Sequence, residues 1–195
     1  MEPNLFSVLF NKTISTVIAL GTLFYSSVTG VSPRMSEVQV NARGAMVMVS
    51  AQILDCFSPD FDRILSSGME VELHYRIQLI NQDTPLRAEQ SRLLTKTLTY
   101  SLLDHSYRVR DSWNSRSERE LSLNEARDRW TRIDEFPLAR FDDLQPDSRY
   151  LITVTAWLDK VQVKGKEQPL NLMVYWKGIK PERASQPFTR NLLTQ

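Results

Sequence analysis

Cysteine and histidine are nearly absent from this sequence: Cys56, His74 and His105 are the whole stock in 195 residues. One thiol cannot close an internal disulfide, and no Cys/His group has zinc-site spacing. No base flanks Cys56 to lower its pKa, so it reads as a small, inert core residue. Glycine is sparse as well, with 6 residues scattered along the chain, which leaves no glycine-rich phosphate loop. Charge of one sign is missing. The 24 basic and 23 acidic side chains give a net charge of +1, without the basic stripe that nucleic-acid binding needs. No Gly-x-Ser-x-Gly elbow and no EF-hand loop occurs.

Long apolar runs are confined to the start. Ile14 to Tyr25 is an apolar block that follows Lys12 and precedes the small residues SSVTG. That order is the order of a secretory signal peptide, with Val28 and Gly30 placed for a cut before Val31. Extended to residues 5–31, the same segment also reads as an uncleaved membrane anchor. Either reading sends the rest of the chain out of the cytoplasm, to the periplasm or cell envelope. Residues 1–30 are therefore read as leader or anchor, 35–180 as one folded domain and 181–195 as a loose polar tail.

What remains is mostly strand. In MEVELHYRIQLI, Val71, Leu73, Tyr75, Ile77 and Leu79 share one face, and Glu70, Glu72, His74, Arg76 and Gln78 the other. One face is dry and one wet, as in an antiparallel sheet. Val38 to Asp55 alternates similarly, with Gly44 as a break. Leu93 to Arg110 alternates until its phase flips near Leu103-Asp104-His105, which predicts a bulge, bend or tight turn. Two short helices interrupt the strands. Ser58-Pro59 opens one that Gly68 terminates. Ser122-Leu-Asn-Glu125 is a capping box for the other, expected to run to about Ile133. Asp111 to Glu120 reads as a loop. Tyr150–Val163 and Leu170–Trp176 read as a final hairpin turning at Gly165.

LQPDSRYLITVTAWL carries the most specific pattern. Leu144 would pack inward, Pro146 would fix a turn and Tyr150 would open a strand, sending its hydroxyl back to the upstream backbone. This is the tyrosine corner of immunoglobulin-type sandwiches, and the stretch resembles that corner in fibronectin type III domains. The expected fold is mostly β: an immunoglobulin-like antiparallel sandwich with two short helices.

Catalytic chemistry finds little to stand on. Asp104-His105 beside Ser101 and Ser106 suggests a hydrolase only by adjacency, which is not how triads are built; a turn-stabilising role is the better reading. His74, between Glu72 and Arg76, reads as solvated. Asp142-Asp143 and Glu70/Glu72 have no neighbouring ligands at metal spacing. The sequence thus offers no catalytic, cofactor-binding or metal-ligating set. Trp157 is out of phase with the core residues of its strand, so it either packs under another element or is an interface anchor. Trp176 carries the same ambiguity.

Several segments together resemble an uncharacterised bacterial envelope family, domain of unknown function 4390. They are SPDFDRILSSGMEVELHYRI, LTYSLLDHSYRVR, NEARDRW followed by FPL, LQPDSRYLITVTAWLDKV and PLNLMVYW. The resemblance spans roughly Val38 to Lys180. It implies export behind an N-terminal hydrophobic segment and supplies no catalytic residue. The expected function is a non-enzymatic binding or accessory module of the envelope, with an envelope or membrane protein as partner. The alternatives are a membrane-tethered accessory of a signalling kinase or transporter, touching the membrane only through residues 5–31, and a carrier of lipid or another hydrophobic ligand.

Overall fold

The computed structural model describes residues 29–84, 88–114, 117–120, 122–163 and 167–194. The expected leader, apart from its last two residues, and the expected turn at Gly165 lie outside the described residues. Two antiparallel sheets face each other across one core. The smaller is built on β3 (Met46–Leu54). One edge of β3 pairs with β1 (Arg34–Met35) and β2 (Gln39–Arg43), the other with β8 (Arg132–Arg140). The larger has six strands in the order β12-β9-β4-β5-β6-β7. These are β4 (Val71–Asn81), β5 (Ala88–Ser101), β6 (Ser106–Asp111), β7 (Ser117–Glu120), β9 (Tyr150–Leu158) and β12 (Glu182–Ala184). A two-stranded ribbon, β10 (Lys160–Val161) with β11 (Leu170–Asn171), stands apart. The fold is mostly β and sandwich-like, as the sequence led us to expect.

Alternation explains the packing. Val71, Leu73, Tyr75 and Ile77 of β4 are fully buried, as are Val47 and Val49 of β3 opposite. Each such side chain contributes about 1.5–3 kcal/mol when removed from water. Helix α1 (Pro59–Leu65) follows its punctuation: the Ser58 side chain accepts the Phe61 N–H, and Pro59 sits in the first turn. Gly68 then turns the chain at φ +85°, a conformation that costs glycine least. Helix α2 (Leu123–Thr131) has both halves of its capping box, Ser122 to the Glu125 N–H and the Glu125 carboxylate to the Ser122 N–H. An ion pair between Asp62 and Arg127 ties α1 to α2. Phe61 packs between Trp130 of α2 and Tyr175, with ring centroids 6.1 and 5.2 Å apart.

The phase flip expected near Leu103-Asp104-His105 is a tight turn that joins β5 to β6, and His105 takes φ +48° there. Four segments depart from the sequence reading. Ser117–Glu120, expected in a loop, is edge strand β7. Helix α2 stops at Thr131, and the residues after it form β8 rather than a link. Leu170–Trp176 is not the return arm of a hairpin: only Leu170 and Asn171 pair, and Leu172–Trp176 is a 3-10 helix. The tail is not loose. Glu182–Ala184 adds to the edge of β9. Phe188 is buried, and the Phe188 and Tyr150 N–H groups each donate to the other residue's carbonyl.

Candidate functional site

The sandwich is open along one side, between β6–β7 of the larger sheet and β2, β3 and β8 of the smaller. A cleft of about 770 Å³ lies there, roofed by α2. Its lining is charged. Asp111, Glu118 and Glu120 come from β6 and β7, Glu125 and Asp128 from α2, and Asp134 and Glu135 from β8. Four cations, Arg43, Lys96, Arg129 and Arg132, face these seven carboxylates. Trp113 stands at the rim, 48% exposed, with its ring edge-on to Phe136 at 5.9 Å.

Lys96 is the organising group. It sits on the dry phase of β5 between Leu94 and Leu98, and is only 5% exposed. A buried ammonium is costly unless each proton finds an acceptor. Here Nζ donates to the carbonyls of Arg129 and Arg132, both at 2.5 Å, and faces Asp111 Oδ1 at 3.4 Å. Those carbonyls lie at the C-terminal end of α2, where the chain leaves the helix in an extended conformation with no glycine to close it. Lys96 thus caps α2 from across the sandwich, in the favourable sense of the helix dipole. The Trp130 indole N–H answers by donating to the Lys96 carbonyl at 2.9 Å. Burial pushes the Lys96 pKa down, and Asp111 opposes that shift. Two of its protons go to backbone carbonyls and the Asp111 carboxylate lies on its third side, so the amine is tied to the end of α2.

The other cations are engaged with carboxylates. Arg129 bridges Glu118 and Glu120 of β7, Arg43 pairs with Glu135, and Arg132 meets Asp128 at 2.7 Å. That last contact holds the Asp128 carboxyl below its usual range. Lys96 escaped the sequence reading although its signal was there: a lysine in register with Leu94 and Leu98 on the buried phase of a strand.

The residues singled out in the sequence fall elsewhere. Tyr150 is buried at the start of β9, and its hydroxyl accepts the Gln145 N–H at 2.9 Å. Leu144 is buried beside it, while Pro146 is exposed on the turn. Trp176 is not an exposed anchor. It is fully buried in the 3-10 helix, where its indole N–H donates to the Cys56 carbonyl at 2.9 Å. Cys56 is buried in the core, and that burial pushes its thiol up to about 12. Trp157 is half-buried on the outer face of the larger sheet, with Arg76 and Lys180 at 5.4 and 5.7 Å from its ring centre. His74 stacks on the same ring at 5.4 Å. His74 is not solvated as expected; its side chain is only 12% exposed.

Ser101, Asp104 and His105 do not assemble into a triad. The hydrogen bond from Ser101 lowers the pKa of the Asp104 carboxyl, and His105 Nδ1 meets the Tyr100 hydroxyl at 3.1 Å. The neighbouring Leu103 is 95% exposed at the hairpin tip.

These features define a mostly β, two-sheet antiparallel domain with a charged lateral cleft. The chain matches the family described as Domain of unknown function (DUF4390) over residues 32–173. That span covers well over half of the chain, and the protein belongs to this family. No curated protein and no solved structure matches it. The docked segment from Glu182 to Phe188 lies beyond the matched residues.

Proposed function

We propose that this protein is a non-enzymatic binding module, exported to the bacterial cell envelope, whose cleft receives a basic segment of an envelope or membrane protein. The observation that carries the reading is the lining of that cleft: seven carboxylates against four cations, open to solvent, with an exposed tryptophan at the rim. A net negative groove attracts a cationic segment and orients it on approach. An indole face is a good seat for an arginine or lysine head. The committed cations support binding over chemistry, because they hold the cleft's shape. A hydrophobic-ligand carrier would need an apolar cavity, whereas Tyr75, Trp130 and Trp176 fill the interior and the open space is charged. A membrane-bound accessory of a kinase or transporter is a special case of the same module, set by whether residues 1–30 stay attached.

The test is crosslinking of the C-terminally tagged full chain in its native envelope, followed by mass spectrometry. Wild type should capture one abundant partner, with crosslinks from that partner's basic segment to the cleft. Trp113→Ala combined with Asp134→Lys should lose the partner while melting at an unchanged temperature, since both side chains are exposed. Equal capture by the variant would refute the reading, as would crosslinks that map only to other surfaces. An intact mass lacking residues 1–30 would exclude the tether.

A further inference from the structure

On the outer face of the larger sheet, opposite the face that lines the cleft, we infer a divalent-cation site whose ligands are Glu72, His74 and Asp159. Glu72 and His74 are two residues apart on β4 and so project from one face. Asp159 follows the end of β9, and its N–H donates to the Glu72 carbonyl at 3.2 Å, which fixes the two strands' relation at this point. One ligand atom from each of the three residues lies within 4.8 Å of the others.

The histidine is held as a ligand is held. Its Nδ1 meets the Thr95 hydroxyl at 2.9 Å, and its ring is stacked on Trp157. Metal-bound histidines usually anchor the second ring nitrogen in this way, which sets the tautomer and directs the lone pair. Nε2 then faces two carboxylate oxygens, Glu72 Oε2 at 3.7 Å and Asp159 Oδ2 at 3.5 Å. The other oxygen of Asp159 is occupied, accepting the Lys160 N–H at 2.7 Å.

Two features of these distances point to a cation. They are longer than good hydrogen bonds, which lie at about 2.7–3.2 Å. They are close to the edge of a tetrahedron around zinc: ligand bonds of about 2.0–2.2 Å give ligand–ligand separations of roughly 3.3–3.6 Å. A neutral imidazole lone pair aimed at two carboxylates is repulsive. With the tautomer that donates Nδ1–H to Thr95, a cation between Nε2 and the two carboxylate oxygens relieves that repulsion. One imidazole and two carboxylates suit a borderline ion such as Zn²⁺, with the fourth position left to water. Arg76 and Lys180, over the Trp157 ring, are the opposing charges nearby, and they weaken the site without blocking it. Sequence spacing could not show the set, because Asp159 lies far from Glu72 and His74 along the chain.

The experiment uses the untagged full chain, freed of metal with a chelator and titrated with Zn²⁺ by calorimetry. Co²⁺ serves as a spectroscopic probe. One ion per chain should bind, and Co²⁺ should give the intense visible bands of tetrahedral coordination. His74→Ala and Asp159→Asn should each weaken Zn²⁺ binding at least tenfold, with unchanged melting of the metal-free protein. Thr95→Val should weaken it about 10–100-fold, because Thr95 positions the ring. Absence of saturable binding by wild type would overturn the proposal. Binding of equal strength in Asp159→Asn would overturn it as well, by placing the ion elsewhere.

Discussion

Lys96→Met is the sharpest perturbation that the fold offers. Methionine keeps the unbranched stem between Leu94 and Leu98 and deletes only the charged head. Two charge-assisted hydrogen bonds to the Arg129 and Arg132 carbonyls are lost. Such bonds are worth about 1.5–3 kcal/mol each, and a buried acceptor left without a partner costs about 1–3 kcal/mol. Asp111 loses its nearest cation, although its side chain is 25% exposed and can recover water. Against these losses stands the relief of the ammonium's own desolvation, which is several kcal/mol. The balance is a destabilisation of about 3 kcal/mol, read by urea unfolding. By the usual scaling for a chain of this size it corresponds to a fall in Tm of roughly 6–12 °C. Adding Asp111→Asn should recover about 1 kcal/mol, because the uncompensated carboxylate is then gone. A cost for Lys96→Met below about 1 kcal/mol would refute the capping argument, and so would a double variant less stable than the single.

Tyr150→Phe should cost about 1 kcal/mol in the same assay, the worth of the bond from the Gln145 N–H, with the buried ring retained; no change would show that the corner is held by packing alone. Trp176→Ala should cost about 3–5 kcal/mol and leave partner capture by the folded fraction intact, whereas a surface anchor would show the reverse. Lys96 also sets a pH dependence. Its folded pKa lies below the ordinary 10.5, so the unfolded chain binds more protons in the window just below that value. Stability from this group therefore rises with pH there, and the cost of Lys96→Met should grow as pH approaches 10.5; a flat difference would refute it. Asp128 works at the other end. Its lowered pKa gives stability present above about pH 3.9 and lost as the carboxylate protonates, a loss that Arg132→Met should abolish in acid unfolding.

What could be read from the sequence follows from how local its causes are. The β4 strand was legible because wet and dry faces alternate without a fault from Val71 to Leu79. Both helix starts were legible because capping is chemistry between neighbours. β8 was not. Pro137 lies inside it, Glu135 takes φ +45°, and its pairing with β3 shifts register twice, so no simple alternation survives. β7 and β12 are short, polar edge strands, SERE and ERA. Charge on an edge strand protects against unwanted pairing, and it also removes the apolar signal by which strands are recognised. Leu170–Trp176 misled because LNLMVYW has strand-like composition, while the indole of Trp176 is seated by the distant Cys56 carbonyl.

The two regions of interest share one strand, and this explains why neither was visible in the sequence. Thr95 and Lys96 are adjacent on β5, so they point to opposite faces of the larger sheet. Thr95 reaches outward and orients His74, while Lys96 reaches inward and closes α2. Read alone, RLLTKTLTY is an ordinary amphipathic strand with one lysine out of place. The misplaced lysine is the informative residue: a charge on the dry phase must be satisfied by backbone or counter-charge from another element, and the strand cannot say which. His74 on the wet phase presents the mirror problem. A histidine there reads as solvated until a tryptophan from β9 covers it and a carboxylate from beyond β9 faces it. A polar residue in the wrong phase identifies where a distant element must arrive, and a polar residue in the right phase conceals it.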